Sequence, residues 1–278
     1  MKKEKLFVTK WAFIFCCFIF LTNSFSLFAQ ETDTLYTFLH ELPENAKSFT
    51  TDQLRQCYLI TNKNEVIKYD ANGKELFRFN NNTLGNLAHI DATDPFNILL
   101  YYPDYLTIIL LDRTLTKTGE YSLYDFDIIE GYSVGISNDN NIWIYDDREF
   151  KIKKINREGE ILAKSDDLSM ILGIGLQPNF ILERHNNIYV NDPAIGILQF
   201  DVFGTYVKTI PLKNLSEFQI LNKQLVYQLE HEVLAFHLQS LVTQKIPLPK
   251  SVSAKDKIRM QKDRLYILQN DQLKLYSF

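Results

Sequence analysis

Lys151-Ile-Lys-Lys-Ile-Asn-Arg-Glu-Gly159 reads as a strand running into a tight turn. The Asn156 amide caps the turn, and Gly159 supplies the positive φ that closes it. Glu160-Ile-Leu-Ala-Lys164 then has the composition of a returning strand. The same pattern stands at Glu65-Val-Ile-Lys-Tyr-Asp-Ala-Asn-Gly73 followed by Lys74 to Phe79, and at Gly196-Ile-Leu-Gln-Phe-Asp-Val-Phe-Gly204 followed by Thr205 to Ile210. A further apolar run precedes each of these units. It recurs six times, at Cys57 to Ile60, Asn97 to Tyr101, Asn141 to Tyr145, Asn187 to Val190, Gln224 to Tyr227 and Arg264 to Ile267. The strands that follow end at Tyr69, Leu111, Ile155, Phe200, Phe236 and Tyr276, with spacings of 42, 44, 45, 36 and 40 residues. Apolar, aromatic and β-branched residues fill these runs, and no helical period extends over them. Units this long are unsuited to a short-coil β-helix, and four strands per unit make a propeller blade. The expected fold is all-β: a six-bladed β-propeller with four-stranded blades.

The ends of the chain bear on how such a ring closes. The sixth unit stops at Phe278 after its third strand, leaving an edge that would invite association. Thr34-Leu-Tyr-Thr-Phe-Leu39 has strand composition and no blade of its own, so it is expected to complete the sixth blade. Upstream, Lys2, Lys3, Lys5 and Lys10 flank an apolar run from Trp11 to Leu21, followed by a polar stretch ending in Ala29-Gln30. This reads as a secretory signal peptide over residues 1–29, with the propeller over 30–278. The run is short for a bilayer span, and no second one follows. Cys16 and Cys17 lie behind Phe and Ile rather than the small residues of a lipoprotein signal, so lipidation is not expected.

Removal of residues 1–29 takes away four lysines and one glutamate and moves the formal charge from −4 to −7. An acidic protein has no electrostatic reason to seek phosphate backbones, so nucleic acid is not an expected partner. Cys57 is then the one cysteine left, which precludes an internal disulfide, and its apolar run marks it as a small buried residue.

The phrase Arg148-Glu-Phe-Lys-Ile-Lys-Lys-Ile-Asn-Arg-Glu-Gly-Glu-Ile161 resembles the core of the NHL repeat, with weaker versions at Glu65 and Gly196. The resemblance covers most of residues 50–278 and is specific in three blades. It implies an NHL-like six-bladed propeller. Such families supply protein-binding platforms, sugar or ligand binders, and metal-dependent lyases or lactonases. Phe28-Ala29-Gln30 and the abundance of Asn, Lys, Ile, Phe and Tyr are similar to exported proteins of the Bacteroidota.

No residue pattern announces catalysis. His40, His89, His185, His231 and His237 occupy non-equivalent places without zinc spacing, and read as isolated surface or turn histidines. Asp91, Asp94, Asp139, Asp146, Asp147 and Asp192 lie near strand ends, where loops could gather them around calcium; turn capping is the ordinary reading. Gly-x-Ser-x-Gly, P-loop and Cys-x-x-Cys motifs are absent from the sequence. No catalytic residue, metal ligand or cofactor is therefore expected. Most aromatics sit at strand positions that a blade core would bury. The exceptions are Tyr101, Tyr102 and Tyr105, read as a turn of the second blade, and Tyr121, Tyr124 and Tyr132 around Asp125, Asp127 and Glu130. Loop aromatics make good contact residues, so these six are the expected partner-binding positions. The expected function is a non-catalytic exported propeller that binds envelope proteins, in the periplasm, at the outer membrane or outside the cell. The alternatives are a metal-dependent lyase or lactonase and a glycan binder.

Overall fold

Asp70 shows how a blade turns. Its Oδ1 accepts the backbone N–H groups of Asn72 and Lys74 at 2.8 and 2.9 Å, and Gly73 follows at φ 77°. Asn156 and Asp201 do the same ahead of Gly159 and Gly204. Two further blades make this turn without glycine. Asp112 caps a turn in which Leu115 adopts φ 58°, and His237 Nδ1 accepts from Gln239 and Ser240 in a turn where Leu241 adopts φ 60°.

The computed structural model describes residues 35–129, 131 and 133–278. The expected signal segment lies outside them. Strand β1 (Thr37–Glu41) comes first. Blade one is β2 (Ala46–Thr51), β3 (Cys57–Thr61), β4 (Val66–Tyr69) and β5 (Glu75–Phe79). Blade two is β6 (His89–Asp94), β7 (Asn97–Tyr102), β8 (Thr107–Asp112) and β9 (Lys117–Ser122). Blade three is β10 (Val134–Ile136), β11 (Ile142–Asp146), β12 (Lys151–Ile155) and β13 (Ile161–Lys164). The short helix α1 (Leu168–Leu172), capped by Asp167, leads to blade four: β14 (Phe180–Arg184), β15 (Asn187–Asp192), β16 (Gly196–Asp201) and β17 (Tyr206–Ile210). Blade five is β18 (Phe218–Leu221), β19 (Gln224–Leu229), β20 (Glu232–His237) and β21 (Thr243–Ile246). Blade six is β22 (Lys257–Gln261), β23 (Arg264–Gln269) and β24 (Gln272–Ser277), and its fourth strand is β1.

All six sheets are four-stranded and antiparallel in sequence order from the innermost strand outward, β1 being the sole exception in order. The sequence therefore located both the repeat and its closure. The closing strand pairs Thr37 with Ser277 and Glu41 with Lys274, with a bulge between Phe38 and His40. Tyr36, just ahead of it, is buried and donates from its hydroxyl to the Pro247 carbonyl at 2.6 Å.

The core is a ring of six clusters, each shared by two adjacent blades. Tyr58 and Val66 meet Ile98 and Leu111 between blades one and two, and Trp143 and Ile152 meet Ile181 and Phe200 between blades three and four. Tyr266 and Leu275 of blade six meet Leu59 and Tyr69 of blade one, so the last interface has the same construction as the others. Cys57 is fully buried there, and burial pushes its thiol pKa up, which keeps it protonated and inert.

Candidate functional site

The innermost strands alternate their side chains between blade interior and central channel, as any strand must. In β14 this sends Phe180, Leu182 and Arg184 to the channel, and in β22 Lys257, Arg259 and Gln261. The channel widens into a cavity of about 400 Å³. Residues of β2, β6, β14, β18 and β22 line it, and none of β10 does.

Blade three is set back because β14 closes in front of it. A Cβ on Gly135 of β10 would lie 2.7 Å from the Ile181 carbonyl oxygen, so glycine alone allows the approach. Two carboxylates secure this packing. Asp91 Oδ2 accepts from the Ile136 N–H at 2.9 Å. Glu183 Oε2 accepts from Ser137 Oγ and from Trp143 Nε1, both at 2.6 Å, and Glu183 and Trp143 are buried. Strands β6 and β14 consequently face each other across the gap. The His89 and Phe180 rings meet edge to face at 5.5 Å, and Arg184 Nη1 lies 3.5 Å from the Thr93 carbonyl oxygen.

The cavity wall is polar and charged at named points. Arg259 pairs with Glu217 at 2.9 Å. Gln219 donates to the Met260 carbonyl and accepts from the Met260 N–H, tying β18 to β22. His89 Nε2 has no hydrogen-bond partner among the described residues. Burial holds its pKa below the ordinary 6.5, against the attraction of Asp91 and Glu217. Burial likewise lowers the Arg184 pKa, opposed by Asp91 and Asp94. A wall of this kind can hold a small polar or charged molecule. Among the described residues no three His, Cys, Asp or Glu side chains come together in a metal-ligand arrangement.

The structure corrects several readings of individual residues. Tyr101 ends the Asn97–Tyr101 run as expected of a strand, but β7 continues through Tyr102, and both tyrosines are buried rather than exposed on the turn. Pro103 begins the 3-10 turn that follows, Pro103–Tyr105, so the strand period runs through both tyrosines before the chain leaves the sheet. Tyr101 donates to the Gly131 carbonyl at 2.6 Å, and Tyr102 packs between blades one and two. Tyr105 is 56 % exposed and Tyr124 is 57 % exposed. Tyr124 lies on a second 3-10 turn, Leu123–Phe126, which the Leu123 N–H joins to the Leu106 carbonyl at 2.8 Å. Tyr121 is half-buried and stacks on Phe126 at 6.4 Å. Tyr132 lies outside the described residues. His89 is a channel residue rather than a surface one, and His40 of β1 packs over Gly73.

The aspartates near strand ends cap backbone turns. Asp91 accepts from Thr93, Asp94 from Phe96, Asp146 from Arg148 and Glu149, and Asp192 from Ala194 and Ile195. Asp139 pairs with Lys154, whose ammonium lies over the Trp143 ring. Glu183 and Arg184 escaped the sequence reading because two adjacent charges at the end of a short apolar strand look like an ordinary strand exit.

Protein-family profiles give no match to the sequence, and a search of curated proteins gives none either. Solved structures do resemble it. A catalytically inactive virginiamycin B lyase from Staphylococcus aureus with quinupristin aligns over 87 % of this chain and 99 % of its own, with a TM-score of 0.56 and 13 % identity. BamB from Moraxella catarrhalis aligns over 87 % and 96 %, with a TM-score of 0.52 and 12 % identity. A protein of unknown function from Bacteroides caccae aligns over 84 % and 82 %, with a TM-score of 0.52 and 13 % identity. At these identities the likeness establishes the six-bladed propeller fold. That fold is shared by a lyase and by other proteins, so it does not select an activity. No helix of the described residues is long and apolar enough to cross a membrane.

Proposed function

We propose that this chain is an exported, non-catalytic NHL-like propeller that binds a protein of the cell envelope through the paired 3-10 turns of blade two. The observation that carries the reading is the placement of Tyr105 and Tyr124. Both are more than half exposed, and they stand on turns joined by a main-chain hydrogen bond. The Tyr121–Phe126 stack supports the second turn from below. Aromatic side chains held in place lose little conformational freedom on binding, and tyrosine is enriched among residues that dominate interface energies. The lysine-flanked apolar segment before Ala29 supports export.

The test is in-cell crosslinking and affinity purification of the tagged full-length protein, beside a Tyr105→Ser/Tyr124→Ser variant. The reading expects stoichiometric capture of an envelope protein by the parent and loss of that capture in the variant. Recovery of the parent alone, or undiminished capture by the variant, refutes it. Tyr101 and Tyr102 are excluded from the test because their replacement would open the core.

A further inference from the structure

Arg184 differs from the other cations of the cavity. Arg259 is held by Glu217, and Lys257 is exposed at the rim. Arg184 is half-buried and carries five N–H donors, yet among the described residues it meets one acceptor, the Thr93 carbonyl, at the long distance of 3.5 Å. Asp91 and Asp94 attract it without forming an ion pair. Their oxygens are engaged elsewhere, those of Asp91 by the Thr93 and Ile136 N–H groups and those of Asp94 by the Phe96 N–H and the Asn97 amide. A guanidinium with idle donors is a strong site for a carboxylate, which it grips through two parallel hydrogen bonds.

The surroundings define the rest of the ligand. Arg184, Arg259 and Lys257 face the cavity against Asp91 and Glu217, leaving one positive charge in excess. The residues on the same face of β14 ahead of Arg184 are apolar, Leu182 and Phe180. Phe218 of the next blade meets Phe180 edge to face at 5.2 Å and backs that wall from the core between blades four and five. A volume of about 400 Å³ falls in the range that encloses small organic ligands. We infer that the cavity binds a small carboxylate with an apolar body, its carboxylate on Arg184 and its body against Leu182 and Phe180.

Isothermal titration of the purified protein with benzoate, with its neutral isostere benzamide and with inorganic phosphate tests each part. Benzoate is expected to bind at least about tenfold more tightly than either of the others. Arg184→Gln is expected to lose about tenfold or more in benzoate affinity, and Arg184→Lys to recover part of it. Benzamide binding as well as benzoate refutes the charge recognition, and phosphate binding as well refutes the apolar body. No benzoate binding up to about 10 mM overturns the site altogether, as does undiminished binding to Arg184→Gln. A measurement independent of any variant is protection of Arg184 from phenylglyoxal in the parent protein, read by peptide mass spectrometry. Benzoate should slow the modification and benzamide should not; equal rates with both would overturn the assignment.

Discussion

Replacing Tyr36 by alanine probes the closure of the ring at a single side chain. Tyr36 is 8 % exposed and packs with Val226, Met260 and Ile267 between blades five and six. It also meets Phe278 edge to face at 5.5 Å and donates to Pro247 at 2.6 Å. Truncating a buried aromatic to alanine costs about 3–5 kcal/mol, and the loss of the hydroxyl's hydrogen bond falls within that span. At about 2–4 °C per kcal/mol for a domain of this size, the midpoint should drop by roughly 6–20 °C. Phe38 is the matched control: it lies on the same β1 but is 53 % exposed, and Phe38→Ala should move the midpoint by no more than about 2 °C. Calorimetric melts of the two variants and the parent decide the matter. If Tyr36→Ala melts within about 2 °C of the parent, the segment before β1 does not hold the ring shut, and the reasoning fails. If both variants fall equally, burial of the side chain does not set the loss, and the assignment of the closure to Tyr36 fails as well.

Glu183→Leu leaves the buried Ser137 hydroxyl and Trp143 indole N–H without their shared acceptor and should cost about 2–5 kcal/mol. Equal melting of Glu183→Leu and parent would show that the short contacts contribute nothing to stability. Burial holds His89 below its ordinary pKa among Asp91, Glu217 and Arg259, so the unfolded chain takes up this proton first as the pH falls. The associated stability is present above pH 6.5 and declines below it, by at most about 1.4 kcal/mol per pH unit until the folded pKa is reached. Melts from pH 7 to pH 5 should therefore fall less steeply for His89→Phe than for the parent, and parallel profiles would contradict the assignment.

The blades were legible where their chemistry is local. An Asp or Asn followed three residues later by glycine marks a turn because the side chain captures two N–H groups while glycine accepts the positive φ. Where Leu115 or Leu241 bears that φ instead, the turn is equally real but carries no glycine signal. The second and third strands of every blade were legible as well, since both faces are buried between blades and apolar residues run through them. Innermost strands were harder to read. One of their faces borders the partly polar channel, so β6 reads His-Ile-Asp-Ala-Thr-Asp and gives no clear apolar signal. His89 consequently passed for a turn residue. Tyr101 and Tyr102 failed for the opposite reason: the following proline and aspartate resemble a turn, and they do form one, but it starts only after both side chains are buried.

The channel itself depended on information no repeat contains. A regular six-fold ring would present six equivalent inner strands, yet Gly135 lets β14 move across β10 and leaves five to line the cavity. The result is directional. His89 pairs with Tyr101 in the sheet, so the 3-10 turn bearing Tyr105 lies toward the end of the channel where β6 begins. Arg184 ends its strand beside Thr93, at the other end of β6. The aromatic pair on the blade-two turns and the guanidinium in the cavity are thereby separated along β6. A protein docked on the tyrosines would leave Arg184 in place for a small carboxylate, and neither role needs the other to operate.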